Sequence, residues 1–374
     1  LVVFVIFAVF AAIYIYPIFS GLILLPLDLL VSHSNPWLLA NTILLKNSYM
    51  QDSIIQMFPW KHLTYVSLRS LIIPLWNPYQ FMGMPFMASM KPLVFHPSNI
   101  LFFLNEAAAW NAFLFCQLLF SGYFMYIFMK SLGIESIGSF LAAIAFSFSS
   151  LMVCTLEFGS EGHVLLWLPM FLFLIRRYIA TLSGWNILFL AIGTSISIFA
   201  GHLQYLSYIV IASLAYAVYE SINQRKQRYL VNIIIGFLLG CGISSIQLIP
   251  GVEIYLQSYR HLTDGYEMFS GGLLKFFNYF RLISPDWLGN PTTGDLRTGY
   301  IELSGYYGII PLFFTFYAIF FLRKITDVKF FTALLIIAVA FSLSGIGQIL
   351  YFLKIPIITG GIGGRIFSIV LFAG

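Results

Sequence analysis

The chain has 374 residues, 60% of them hydrophobic and only 9% charged, with a mean hydropathy of +0.91. Soluble domains carry about 25% charged residues, so this composition excludes an ordinary soluble domain and points to an all-α, polytopic transmembrane helical bundle. The net charge of +5 is spread over scattered positions and short loops, which is no nucleic-acid signal and fits the positive-inside rule.

A span needs about 20 apolar residues. In chain order the candidates are 1–25, 107–129, 137–155, 164–180, 185–200, 203–219, 230–250, 303–322 and 329–344, with a partial run from 365. Read as a single transmembrane domain over 1–374, they give about 9–11 spans, some short enough to be tilted or re-entrant. The apolar pieces 98–104 and 348–358 are too short to span alone. Both ends of the chain fall inside apolar runs, which reads as truncation at each end. The first run lacks the basic n-region and small-residue cleavage site of a signal peptide. Cys116, Cys154 and Cys241 each sit in an apolar run, so neither a disulfide nor a metal framework is implied.

Charge sets the expected orientation. Lys130, Arg176, Arg177, Arg225, Lys226, Arg228, Arg323, Lys324 and Lys329 fall in alternate short loops, which the positive-inside rule places in the cytoplasm. The other side then receives two long extracytoplasmic loops, 26–106 and 251–302, and every acidic residue except Glu135, Glu220 and Asp327. That acid-rich outer face is where a site is expected.

Within the first loop, Asp52 heads QDSIIQMFPW. Gln56 lies at i+4, so a helix puts both on one face, with Ile54, Ile55, Met57 and Phe58 resting on the membrane as an interfacial helix. A carboxylate at the lipid–water boundary suits a general base; a capping or solvated Asp is the plain alternative. Asp28, beside the apolar run LLPLDLLV, is a second candidate acid for catalysis or metal binding, or a span-end residue facing headgroups. PLWNPYQFMGMPF, residues 74–86, is a proline-broken loop. Its Trp76 and Tyr79, flanking Asn77, either stack on a sugar or anchor at the interface.

Three further outer segments carry polar groups. LEFGSEGH puts Glu157, Glu161 and His163 within seven residues, a set able to bind a divalent cation or a hydroxyl-rich substrate, or else a polar turn. AGHLQY puts His202 and Gln204 at a turn at membrane depth, a position that commonly lines a cavity. In IQLIPGVEIYLQSYR, Gln247 and Glu253 flank a span broken at Pro250, and Arg260 follows. An arginine there holds a lipid phosphate bidentately, or simply snorkels to the headgroups. Glu302 opens another span. Glycine-rich 360–364 ends in Arg365, where backbone ahead of a helix can receive an anion. There is no Walker motif, GxSxG, zinc pattern or Rossmann fingerprint, and ionisable residues avoid span centres, which argues against an ion relay.

Taken in order, D-x3-Q-x2-PW from Asp52, PLWNPYQFMGMPF, GHLQY, QLIP-x2-E-x4-S-x-R from Gln247, and YYGIIPL form a pattern. On these motifs the chain resembles the bacterial YfhO-like membrane proteins and, through them, the GT-C superfamily of membrane glycosyltransferases, over residues 26 to 312. The resemblance implies a polyprenyl-phosphate-linked sugar as donor and work on the extracytoplasmic face of the cell membrane. It implies a first-loop carboxylate acting on the acceptor, basic residues on the leaving lipid phosphate and, in some members, a divalent cation, Mg or Mn. Carried over, Asp52 matches the first-loop aspartate, Arg260 the arginine of S-x-R, and Asp28 a first-loop acid by position alone. The soluble domain that larger members carry after their spans is not visible here. The expected function is therefore an inverting membrane glycosyltransferase with membrane lipids and the lipid-linked donor as partners. Its rivals are a transporter or flippase of lipid-linked sugars and a non-catalytic envelope assembly factor. A transporter is expected to show inverted repeats, and no internal repeat stands out.

Overall fold

The computed structural model describes residues 2–33, 47, 50–103, 105–258, 265–291, 300–355 and 357–374. The chain is 71% helical with almost no sheet. Helices α1 (Val2–Tyr14), α2 (Asp28–His33) and α3 (Phe58–Arg69) precede the long α4 (Glu106–Ser131). Then come α5 (Ser136–Ser147), α6 (Ser150–Cys154), α7 (Glu161–Leu165), α8 (Trp167–Thr181), α9 (Gly184–Phe199) and α10 (Leu203–Asn223). The remainder holds α11 (Leu230–Ile243), α12 (Ser245–Gln257), α13 (Tyr266–Gly271), α14 (Ile309–Phe321), α15 (Thr326–Ser342), α16 (Gln348–Phe352) and α17 (Phe367–Ala373).

Helix α4 shows why these elements form. Asn105 caps it by accepting from the Ala108 amide at 3.2 Å, and Glu106 and Lys130 sit in its first and last turns, where they complement the helix dipole.

Three continuous helices, Glu106–Ser131, Glu161–Thr181 and Leu203–Asn223, are long and apolar enough to cross a membrane. The count rises to five if each of two bent pairs is one span. Four shorter apolar helices accompany them among the described residues. The expected nine to eleven spans are thus not matched one for one by long helices. Four of the expected runs form helices of only 10–17 residues, and one run, 230–250, is bent in two. Between α11 and α12 the axis turns by 78° at Ser244, and not at Pro250, where the span was expected to break and which lies inside α12. Between α14 and α15 it turns by 115° at the Arg323–Lys324 loop, the connection expected between the runs 303–322 and 329–344.

Small residues let the helices approach. Gly236 and Gly240 form a G-x3-G stripe on α11 against α9. A Cβ on Gly240 would come 2.5 Å from Thr194 Cβ and 2.7 Å from the Ala191 carbonyl, so only glycine permits this contact.

Polar clusters mark the two ends of α10. At its C-terminal end, Arg176 pairs with Glu220 at 3.2 Å, lies 3.8 Å from Asp327, and donates to the Ser131 carbonyl at 3.0 Å. Its N-terminal end meets the first loop. The 21 residues between correspond to about 30 Å at 1.5 Å per residue.

The first loop is folded onto the bundle rather than laid on a membrane. A π-turn over Ser53–Met57 leads into α3. Ile54 and Met57 are buried, Phe58 packs edge-on against Trp110 at 5.5 Å, and of the four expected membrane-facing residues only Ile55 is exposed. The segment 74–86 makes a two-stranded antiparallel hairpin, β1 (Trp76–Asn77) with β2 (Met84–Pro85). Its tip holds Phe81 and Met82 at positive φ and almost fully exposed.

Candidate functional site

A cavity of about 670 Å³ opens where the first loop meets the N-terminal end of α10. Asp52 and Gln56 enter it from the π-turn, Lys91 from the loop after the hairpin, Glu161 from α7, His202 and Gln204 from the α9–α10 turn, Glu302 from the turn before α14, and Arg365 from the segment before α17.

Glycines build the walls. Gly201 has φ +81°, and a Cβ on it would lie 2.6 Å from the Met90 carbonyl and 3.3 Å from Lys91 Cα. The missing side chain therefore lets the Met90–Lys91 backbone lie against the turn. Gly361 does the same for Arg365: its Cβ would meet Gln204 Oε1 at 2.2 Å.

The polar contacts form two closed groups. Lys91 Nζ donates to Glu161 Oε1 at 2.5 Å and to Ser160 Oγ at 3.2 Å, and Ser160 donates to the other Glu161 oxygen. His202 Nε2 lies 3.6 Å from Glu161 Oε1, while its Nδ1 caps α10 by accepting from the Tyr205 amide. Burial, then the Lys91 charge, pushes the His202 imidazole well below its usual range, so it faces Glu161 as a neutral ring. In the second group, Arg365 donates to Gln204 Oε1 at 2.9 Å and pairs with Glu302 at 3.4 Å. Gln204 in turn donates to the Ile358 and Ile362 carbonyls. The Arg365 Nε is buried without a partner.

Two carboxyl groups stand outside these pairs. Asp52 accepts from Gln56 Nε2 at 3.4 Å and forms no ion pair with a cation among the described residues. Glu157 is buried just behind, its backbone carbonyl tied to Ser53 Oγ at 2.9 Å and its Oε1 unpartnered. Burial, then Asp52, Glu161 and Glu302 nearby, pushes the Glu157 carboxyl up to about 8. It therefore holds its proton at neutral pH, and Asp52 is left as the cavity's uncompensated anion.

Several expected residues lie elsewhere. Among the described residues no three His, Cys, Asp or Glu side chains are grouped to hold a metal ion, so Glu157, Glu161 and His163 do not form the expected cation set. Their neighbours explain this: Glu161 turns to Lys91, whereas His163 stacks on Phe113 at 4.1 Å and bonds its carbonyl at 3.1 Å. Trp76 and Tyr79 point to the outside on the hairpin. Asn77 is buried as a turn former, accepting from the Tyr79 amide at 2.9 Å and donating to Gln80. Gln247 is a tie, donating to the Met87 and Met90 carbonyls at 3.3 Å. Glu253 is exposed on α12, and Asp28 starts α2; neither lines the cavity. Arg260 lies outside the described residues.

Two features were not assigned a role from sequence. Lys91 follows an uncharged run, 70–90, and that isolation was its only signal. Behind the cavity, Lys61 is buried on Asn99 at 3.1 Å and over the Phe113 ring at 4.7 Å. Burial lowers its ammonium to about 7 and, with His163 and Lys61 beside it, holds His96 well below its usual range.

Comparison with protein-family models, curated proteins and solved structures finds no match to the chain.

Proposed function

We propose that the chain is an integral membrane glycosyltransferase of GT-C type, YfhO-like, that moves a sugar from a polyprenyl phosphate to an extracytoplasmic acceptor. The observation that carries this reading is the pairing of one uncompensated carboxylate, Asp52, with one incompletely satisfied guanidinium, Arg365, in a single cavity. The two groups match the two needs of the reaction. The acceptor hydroxyl gives its proton to Asp52 as its oxygen bonds to the anomeric carbon. The bond from that carbon to the phosphate oxygen breaks, and the negative charge gathers on the departing lipid phosphate, which Arg365 neutralises. Attack opposite the leaving group inverts the anomeric centre. Gln56, His202 and Gln204 supply hydrogen-bonding groups for sugar hydroxyls in the same cavity.

The test separates base from binder. Asp52→Asn keeps size and removes the base, so transfer in membranes should fall by at least about 10²-fold with donor binding retained. Arg365→Ala should instead weaken donor binding, since a charge-assisted contact is worth roughly 1.5–3 kcal/mol. Unchanged transfer in Asp52→Asn would remove Asp52 from the mechanism, whereas no transfer by the unaltered protein, with lipid-linked sugar crossing vesicle membranes equally in both forms, would overturn the enzyme reading in favour of transport.

A further inference from the structure

A second, apolar groove of about 650 Å³ lies between α4, α5, α14, α15 and α17, within the roughly 300–1,000 Å³ of sites that hold small ligands. Its walls are almost wholly hydrocarbon, with Phe128, Ala142, Phe314 and Phe372 among them. It opens sideways: Ile137, Phe314 and Tyr317 line it and are exposed. One end closes at Leu132–Ile134 and Leu322–Val328. That end is basic. Lys130, Arg323 and Lys324 flank the closing residues and are exposed; Lys130 donates to the Ile134 carbonyl at 3.0 Å, and none of the three forms an ion pair with a described carboxylate. Of the acids there, Asp327 is occupied, accepting from Tyr219 at 2.7 Å and facing Arg176, and Glu135, exposed beside Ile134, forms no ion pair with a described cation.

We infer that this groove is a binding site for one anionic phospholipid, its acyl chain between α5 and α14 and its phosphate at Lys130, Arg323 and Lys324. A hydrocarbon slot alone takes any chain. Uncompensated cations at one end alone attract any anion. Joined at one place, they select a molecule that is apolar along its length and anionic at its head. Basic pockets between transmembrane helices bind anionic headgroups on this principle. The site lies at the end of the bundle remote from the polar cavity, so it is independent of the proposed transfer chemistry.

The experiment uses the full chain in mild detergent, with native mass spectrometry and thermal unfolding read against added phosphatidylglycerol, phosphatidylcholine and glycerol 3-phosphate. One phosphatidylglycerol should remain bound and raise the unfolding temperature; the other two should not. Arg323→Gln/Lys324→Gln should weaken that binding about 25-fold, taking roughly 1 kcal/mol per surface charge and 1.4 kcal/mol per tenfold. Ala142→Leu, which fills the slot and leaves every charge in place, should abolish it; its unfolding transition without lipid reports whether it is folded. Equal binding of phosphatidylcholine, equal stabilisation by glycerol 3-phosphate, or undiminished binding in the charge variant would each overturn the proposal.

Discussion

Replacing Gly201 by alanine tests whether the cavity depends on close backbone approach. Two costs arise. The first is conformational: Gly201 sits at φ +81°, and a left-handed residue with a Cβ costs roughly 1–2 kcal/mol. The second is steric: the new carbon would lie 2.6 Å from the Met90 carbonyl and 3.0 Å from its carbon, and neither is a flexible side-chain end. Overpacking of this kind costs typically about 1–3 kcal/mol. Gly21 isolates the first cost, because it has φ +75° with nothing within 4 Å of a built Cβ. Thermal unfolding of the purified protein should therefore show Gly21→Ala about 1–2 kcal/mol less stable and Gly201→Ala about 2–5 kcal/mol less stable. If Gly201→Ala is still folded, the Met90–Lys91 backbone must retreat and stretch the 2.5 Å Lys91–Glu161 contact. Equal losses in the two variants would refute the argument, since they would leave no steric term at Gly201.

Glu157 binds its proton more tightly folded, near 8, than unfolded, near 4.3, so its contribution to stability is full below the lower value and lost as pH rises towards the upper one. Glu157→Gln should flatten that decline in unfolding curves recorded from pH 5 to 8. Lys91→Met strands the buried Glu161 charge and should cost about 3 kcal/mol in denaturant unfolding, while Lys91→Met/Glu161→Gln recovers most of it. In a cysteine-free background, an impermeant maleimide on intact cells should label Ser70→Cys and spare Asn223→Cys; the reverse pattern sinks the extracytoplasmic assignment of the cavity. Glu302→Gln removes the carboxylate that competes for Arg365 and should tighten binding of a polyprenyl phosphate, measured by titration; weaker binding would contradict the role given to Arg365.

What was legible in the sequence was local. Asp52 and Gln56 meet because i and i+4 share a face even across a π-turn, and His202 and Gln204 reach the cavity because a polar turn at the end of two apolar helices has few other places to go. Arg365 was visible as the charge that ends a glycine run. The errors were tertiary. Asn77, between the two candidate sugar-stacking aromatics, is a turn former, because an Asn before Pro forms turns by the same hydrogen-bonding capacity that makes it a ligand. Glu157, Glu161 and His163 are neighbours in sequence, yet each has a partner from 50 to 104 residues away: Ser53, Lys91 and the Phe113 carbonyl. The hydropathy runs marked the apolar helices but not where each helix would stop, so four runs hold helices of only 10–17 residues and one is bent in two.

The cavity's charge count bears on the proposed reading. Lys91 and Glu161 cancel, Arg365 and Glu302 cancel, His202 is neutral and Glu157 is protonated, which leaves the single charge on Asp52. An incoming lipid phosphate cannot find a free cation among the described lining residues; it must share Arg365. That guanidinium has one donor on Gln204, one on Glu302 and an unused Nε, and a bidentate phosphate needs two adjacent donors. The Glu302 contact, at 3.4 Å, is longer than the Gln204 contact and so is the one expected to yield. Released from Arg365, the Glu302 carboxylate adds its full repulsion to Glu157, which it already helps to keep protonated. Donor binding would thus hold Glu157 neutral behind the cavity, where Asp52 is the carboxyl group of the two that lines it.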